Sequence, residues 1–175
     1  MKKFELTNEF ITNMFGTKLF RIRALVEFGD VEAGELGGYV EKESNLGHDD
    51  NAWVYGNAQV SGDARVYGNA WVYGDAQVSG DARVCGDARV CGNGDYAYAH
   101  GFGSVNRTTT FFRLKDGGVG VRCGCFYGTL AQFRDKIRET HGETKKAQEY
   151  LMLADLMELR FEEDENEVGN RKYVE

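Results

Sequence analysis

From Ala52 the chain repeats a hexad, A-x-V-x-G-[ND], six times in register and then once more as ARVCGN. Ala falls at 52, 58, 64, 70, 76, 82 and 88, and Val two places after each. No helix can use a period of six, but a strand of four residues followed by a two-residue corner can. Alternation along the strand sends Ala and Val to one side and the two variable residues to the other. Gly with Asn or Asp forms the corner, because both tolerate the positive φ of a tight turn. A longer period is superimposed. WVYGNAQVSGDARVYGNA (53–70) is followed at once by WVYGDAQVSGDARVCGDA (71–88), and fifteen of the eighteen positions are identical. Three hexads therefore complete one circuit. The spacing predicts a triangular coil of eighteen residues, stacked on its neighbours by parallel pairing about 4.8 Å apart.

Residues 52–93 resemble the left-handed β-helix of hexapeptide-repeat proteins. The expected fold class is mainly β. Its body is a left-handed parallel β-helix of hexapeptide repeats, 18 residues per coil, with a C-terminal β-hairpin and a two-helix appendage. A wider resemblance runs through LFRIRALVEFGDVEAGELGGYVEKESNL, the repeat, TTTFFRLKDGGVGVRCGCFYGT and FRDKIRETHG. These segments are similar to hexapeptide-repeat proteins common in phages and prophages. That likeness implies a viral accessory protein in the cytoplasm of a bacterial host, and it brings no mechanism with it.

The flanks divide the chain into an N-terminal cap (1–36), the β-helix (37–107) and a C-terminal part (108–175). LFRIRAL (19–25) alternates like a strand, and the turn-rich GDVEAGELGG leads into the first coil. Val40 and Leu46 fit the inward position, so two extra residues bulge out near Gly47–Asp50. YAYAHGFGSV reads as a last, altered coil, with Gly94 in place of Ala and Tyr96 in place of Val. A hairpin is expected around Lys115–Gly118, followed by Val119, Val121, Cys123 and Cys125 alternating onto one side as buried small hydrophobes. Thr129-Leu-Ala-Gln132 is a capping box that opens a helix ending at His141-Gly142. A second helix runs to about Phe161, burying Ala147, Tyr150, Leu151, Ala154, Met157 and Phe161. The acidic tail EEDENEVGNRKYVE is expected to fray.

Stacking at eighteen places the outward side chains in columns. One face carries Trp53, Trp71 and Arg89, with Tyr55, Tyr73 and Cys91 beside them. A second carries glutamines and serines, and a third Arg65 and Arg83 with Tyr67 and Cys85. Two stacked Trp–Tyr pairs on one face are expected to mark an interface, covered by the C-terminal helices, by another subunit or by a foreign partner. The candidate contact residues are Trp53, Tyr55, Trp71 and Tyr73, then Arg65 and Arg83.

The chemistry readable from the chain is sparse. Net charge is -7 and the pI about 5.1, which argues against nucleic acid as a partner. No apolar run reaches the length of a membrane span. Four Cys do not make a disulfide framework, and the Cys123-x-Cys125 pair lacks two further ligands for a metal. GFGSVN (101–106) lacks the strand-to-helix context of a phosphate loop. No metal or cofactor is expected. The best-known enzymes with this repeat are trimeric acyltransferases, in which a His activates the acceptor beside acyl-CoA. If the chain were one, His48, in the bulge beside Asp49 and Asp50, would be the catalytic residue. The preferred reading is a non-catalytic, homo-oligomeric protein that binds a host macromolecule and, in its sharpest form, inhibits a host defence protein. The alternatives are the acyltransferase and a structural self-assembling protein.

Overall fold

A computed structural model of the chain describes residues 1–162. Seven two-residue strands form the repeat body: β4 (Trp53–Val54), β5 (Gln59–Val60), β6 (Arg65–Val66), β7 (Trp71–Val72), β8 (Gln77–Val78), β9 (Arg83–Val84) and β10 (Arg89–Val90). They lie in three parallel stacks. Trp53 pairs with Trp71 and Trp71 with Arg89; Gln59 pairs with Gln77, and Arg65 with Arg83. The inward Ala and Val at all seven repeats are fully buried. Small Ala and branched Val together fill an interior too narrow for larger side chains, which is why the hexad admits so little variation there.

The body begins earlier than the strict repeat. Strand β3 (Leu36–Val40) pairs in parallel with β5, Tyr39 opposite Gln59, and Leu46 bridges to Val66. Both offsets are twenty rather than eighteen, so the two additional residues do sit between Leu46 and Val54. Strand β3 also continues an antiparallel meander with β1 (Phe4–Thr12) and β2 (Lys18–Ala24). Gly37 makes that junction possible: a Cβ there would sit 2.6 Å from both the Val54 carbonyl oxygen and Ile22.

At the other end the expected altered coil is not formed. After a single 3-10 turn (Asn93–Asp95), strand β11 (Tyr96–Phe102) leaves the body and pairs antiparallel with β12 (Arg107–Arg113). Tyr96 is too large for the interior place that Val holds in each hexad. Instead it closes the end, its hydroxyl donating to the Gln77 carbonyl. The hairpin around Lys115–Gly118 joins β12 to β13 (Val119–Cys123), and a second, tight turn at Gly124-Cys125 adds β14 (Phe126–Thr129). That turn leaves Cys125 exposed and Cys123 half-buried, so the pair is not the buried pair the alternation suggested.

Helix α1 (Leu130–His141) opens at the capping box. The Thr129 hydroxyl accepts from the Gln132 N–H, and the Gln132 side chain accepts from the Thr129 N–H. Helix α2 (Lys145–Phe161) is capped by Thr144. Both helices pack on the sheet face that points away from the repeat body. A second core results, from Phe111, Val121, Phe133, Ile137, Tyr150 and Met157. The acid run lies mostly outside the described residues.

The two ends of the body expose different backbone groups. Along the stacks the outward residues donate towards the C-terminal end, as in Trp53 N–H to the Ala70 carbonyl and Arg65 N–H to the Ala82 carbonyl. The N-terminal edge is therefore left with carbonyls of inward residues such as Ala52 and Ala64, and the C-terminal edge with both the N–H and the carbonyl of outward residues such as Gln77. Lys3 Nζ donates to the carbonyls of Asp50 (2.6 Å) and Ala52 (2.8 Å), and Asn45 Nδ2 to those of Gly62 and Ala64. At the far edge Thr110 Oγ1 accepts from Arg83 N–H (2.9 Å) and Asn93 Oδ1 from Gln77 N–H (2.8 Å), while Asp95 accepts from Cys91 and Gly92. Side chains thus complete the pairing that a further coil would have made.

Candidate functional site

Trp53 does not stand on an open face. It is fully buried, with Phe28 edge-on at a centroid distance of 5.3 Å and Phe4 at 6.3 Å. The N-terminal segment, rather than the C-terminal helices, covers this part of the aromatic column. Outward direction on a strand says which way a side chain leaves the body, not what the rest of the chain lays over it. Trp53 is accordingly a core residue that fastens residues 1–36 to the body.

The remainder of the column is half-buried. Tyr55 packs edge-on to Trp71 at 5.3 Å, and the Arg89 guanidinium lies over the Trp71 ring at 4.2 Å. Arg89 is anchored there by its own donation to the Asn69 and Ala88 carbonyls. Burial, assisted by Glu35 and Asp30, pushes the Tyr55 phenol up to about 12. Tyr73 lies next in this column, also half-buried. The strip Tyr55–Trp71–Arg89–Tyr73 is thus a firm amphipathic surface.

His48 is engaged on both ring nitrogens. Nδ1 accepts from the backbone N–H of Lys3 (3.2 Å), which places the proton on Nε2, where it is donated to Glu43 Oε1 (3.0 Å). The ring also stacks on Phe4 at 4.4 Å. A general base needs a free nitrogen facing its substrate, and this arrangement instead makes His48 a clasp between the bulge and the N-terminus. Lys3 belongs to the same clasp. It is 3% exposed, and burial lowers its amine to about 8 against the pull of Asp50 and Asp49. Its cover by Phe28, at 4.4 Å from Nζ, was not readable from the repeat.

Arg65 and Arg83 stand opposite one another on β6 and β9, both exposed. They line a groove of about 440 Å³ together with Lys42, Asp63, Asp81 and Arg107. Arg107 was not foreseen, because it comes from β12, which the repeat pattern does not place beside this face. Among the described residues, no group of three or more His, Cys, Asp or Glu is disposed to hold a metal ion.

Sequence reasoning also missed an apolar ridge on α2. Met152 (71% exposed), Leu156 (55%) and Leu159 (67%) follow a helical spacing on the side opposite the second core. Helical periodicity had marked only the residues that face the sheet.

Residues 58–74 and 76–92 match the family model described as the YdcK beta solenoid repeat. The two matched stretches start eighteen residues apart and lie within the three parallel stacks. No curated protein matches the sequence. The described residues are mainly β with a β-solenoid repeat and two α-helices, and no described helix is long and apolar enough to cross a membrane.

Proposed function

We propose that this chain is a non-catalytic interaction protein of phage or prophage type, built on a left-handed hexapeptide β-helix with eighteen residues per coil. It self-associates and binds a host macromolecule, and in its most specific form it inhibits a host defence protein in the bacterial cytoplasm. The observation that carries this reading is the exposed Met152–Leu156–Leu159 ridge. Three large apolar side chains on one helix face are costly to leave in water, and a second copy of the same helix would bury them symmetrically. The Tyr55–Trp71–Arg89–Tyr73 strip then supplies contact with the target, since half-buried aromatics with a stacked guanidinium are the residue types that dominate binding energy.

Native mass spectrometry of the full chain, with and without acetyl-CoA, tests the proposal. The expected species is an oligomer that ignores acetyl-CoA and becomes monomeric in the Leu156→Glu, Leu159→Glu variant. A trimer that takes up acetyl-CoA would replace this reading with the acyltransferase. A wild-type monomer would remove the self-association.

A further inference from the structure

We propose that the groove between the β6–β9 stack and the β11–β12 hairpin binds a compact, multiply phosphorylated small molecule, held by Arg65, Arg83 and Arg107. Four cations line it, Lys42, Arg65, Arg83 and Arg107, against two carboxylates, Asp63 and Asp81. Lys42 is already paired to Asp63 at 2.8 Å. Among the described residues Asp81 is paired with His100 alone, at 4.0 Å. The three guanidiniums have no side-chain hydrogen bond or ion pair among the described residues.

Three further features make this a built site rather than a charged surface. Arg65 and Arg83 are direct partners across parallel strands, about 4.8 Å apart along the stack. Like charges held so close repel each other, and an anion placed between them turns the repulsion into attraction. Arg107 arrives from the other module, and its guanidinium lies against Gly124, where the absence of a side chain leaves it room. Finally, the rim is formed by Val105 and Asn106, both in the left-handed region at φ 52° and 49°. A β-branched residue is strained in that conformation, and here it turns the hairpin tip over the groove.

The lining selects the ligand class. A guanidinium fork matches phosphate oxygens in pairs. The volume lies in the small-molecule range. No aromatic ring lines the groove, so it offers no platform on which a base could stack. The net charge of -7 repels a long polyanion, while a short one meets only the local positive field. This inference concerns a different surface from the α2 ridge and the aromatic strip, and it stands or falls apart from them.

The test is isothermal titration of the full chain with sodium tripolyphosphate, with citrate and a short single-stranded oligonucleotide as comparison probes at matched ionic strength. The expected result is saturable binding of one tripolyphosphate per chain. Arg107→Gln should weaken it by about tenfold or more, the effect of losing one charge-assisted hydrogen bond. The double variant Arg65→Gln, Arg83→Gln should abolish it. Arg138→Gln, on the exposed side of α1, should leave binding unchanged. Without ligand, the double variant should melt no lower than wild type, because it relieves a repulsion. That readout also shows that the variant is folded. Linear, unsaturable heats, equal binding by the Arg138 and Arg107 variants, or citrate or oligonucleotide binding as tight as tripolyphosphate would each overturn the proposal.

Discussion

At the N-terminal edge of the repeat body an ammonium and an amide donate to carbonyls, and the Glu41 carboxylate accepts from the Gly62 N–H. At the C-terminal edge a hydroxyl, an amide oxygen and a carboxylate accept from N–H groups, and the Tyr96 hydroxyl donates to the Gln77 carbonyl. The first closure is local and aromatic, with Phe4, Phe28 and His48 packed around Lys3 and Trp53. The second is a four-stranded sheet with a core of its own behind it. The difference teaches that the two edges of such a repeat are closed by different side chains and different amounts of added structure, and that neither closure can be made by repeating the hexad once more.

The comparison can be broken most forcefully at Trp53. Trp53→Ala should cost about 3–5 kcal/mol in denaturant unfolding, as a large core truncation does. Trp71→Ala should cost clearly less, since that ring is only half-buried. Trp53→Phe should be much milder than Trp53→Ala, because the indole N–H makes no hydrogen bond that Phe would lose. Equal losses at 53 and 71 would mean that the N-terminal cover does not hold in solution.

Next comes Thr110→Val at the opposite edge. The volume is kept but the Arg83 N–H loses its acceptor, for an expected cost of about 1–3 kcal/mol. Hydrogen exchange at the Arg83 amide should quicken with it, while the Gln59 amide, bonded to the Ala76 carbonyl, should not change. Lys3→Met should cost less, about 1 kcal/mol, because removing a buried ammonium offsets the two carbonyls left unpaired.

The smallest expected effect is a pH dependence with opposite signs for Lys3 and for two half-buried tyrosines of the body. Lys3 titrates at about 8 in the folded chain against an ordinary value of 10.5. Above its folded value the unfolded chain binds a proton that the native chain has released. This group's contribution to stability therefore rises with pH from about 8 towards 10.5. Tyr55 and Tyr67 run the other way. Their phenols are raised from 10 to about 12 by burial, so stability is lost as pH climbs from 10 towards 12. Unfolding measured at pH 7.5 and 9 should show an upward slope that Lys3→Met flattens. Absorbance titration of phenolate should show late-titrating rings, one fewer in Tyr55→Phe.

What was legible in the chain was whatever repeats or caps locally. The Ala and Val positions, the two-residue bulge before Ala52, the Thr129 capping box and the buried face of α2 all follow from spacing along a few residues. What was not legible depended on residues far apart. Nothing near Trp53 announces Phe4 and Phe28, and nothing near His48 announces the Lys3 N–H. In sequence Tyr96 looks like part of a faulty hexad because its neighbours still resemble one, whereas its strand partner is Phe112 on β12. The charged groove was half-visible: the repeat places Arg65 over Arg83, but Arg107 reaches them only once the last hairpin folds back.

The near-identity of 53–70 and 71–88 makes the body's length a quantity that changes in steps. Recombination between the two copies would add or delete one circuit without disturbing any side chain's neighbours inside, since every inward position would meet the same Ala or Val as before. Each event would shift the terminal modules relative to one another by about 4.8 Å along the stack. It would also alter by one the number of arginines displayed in the β6–β9 column. A single genetic event thereby resets the distance between the two terminal modules while the interior packing of the body stays as it is.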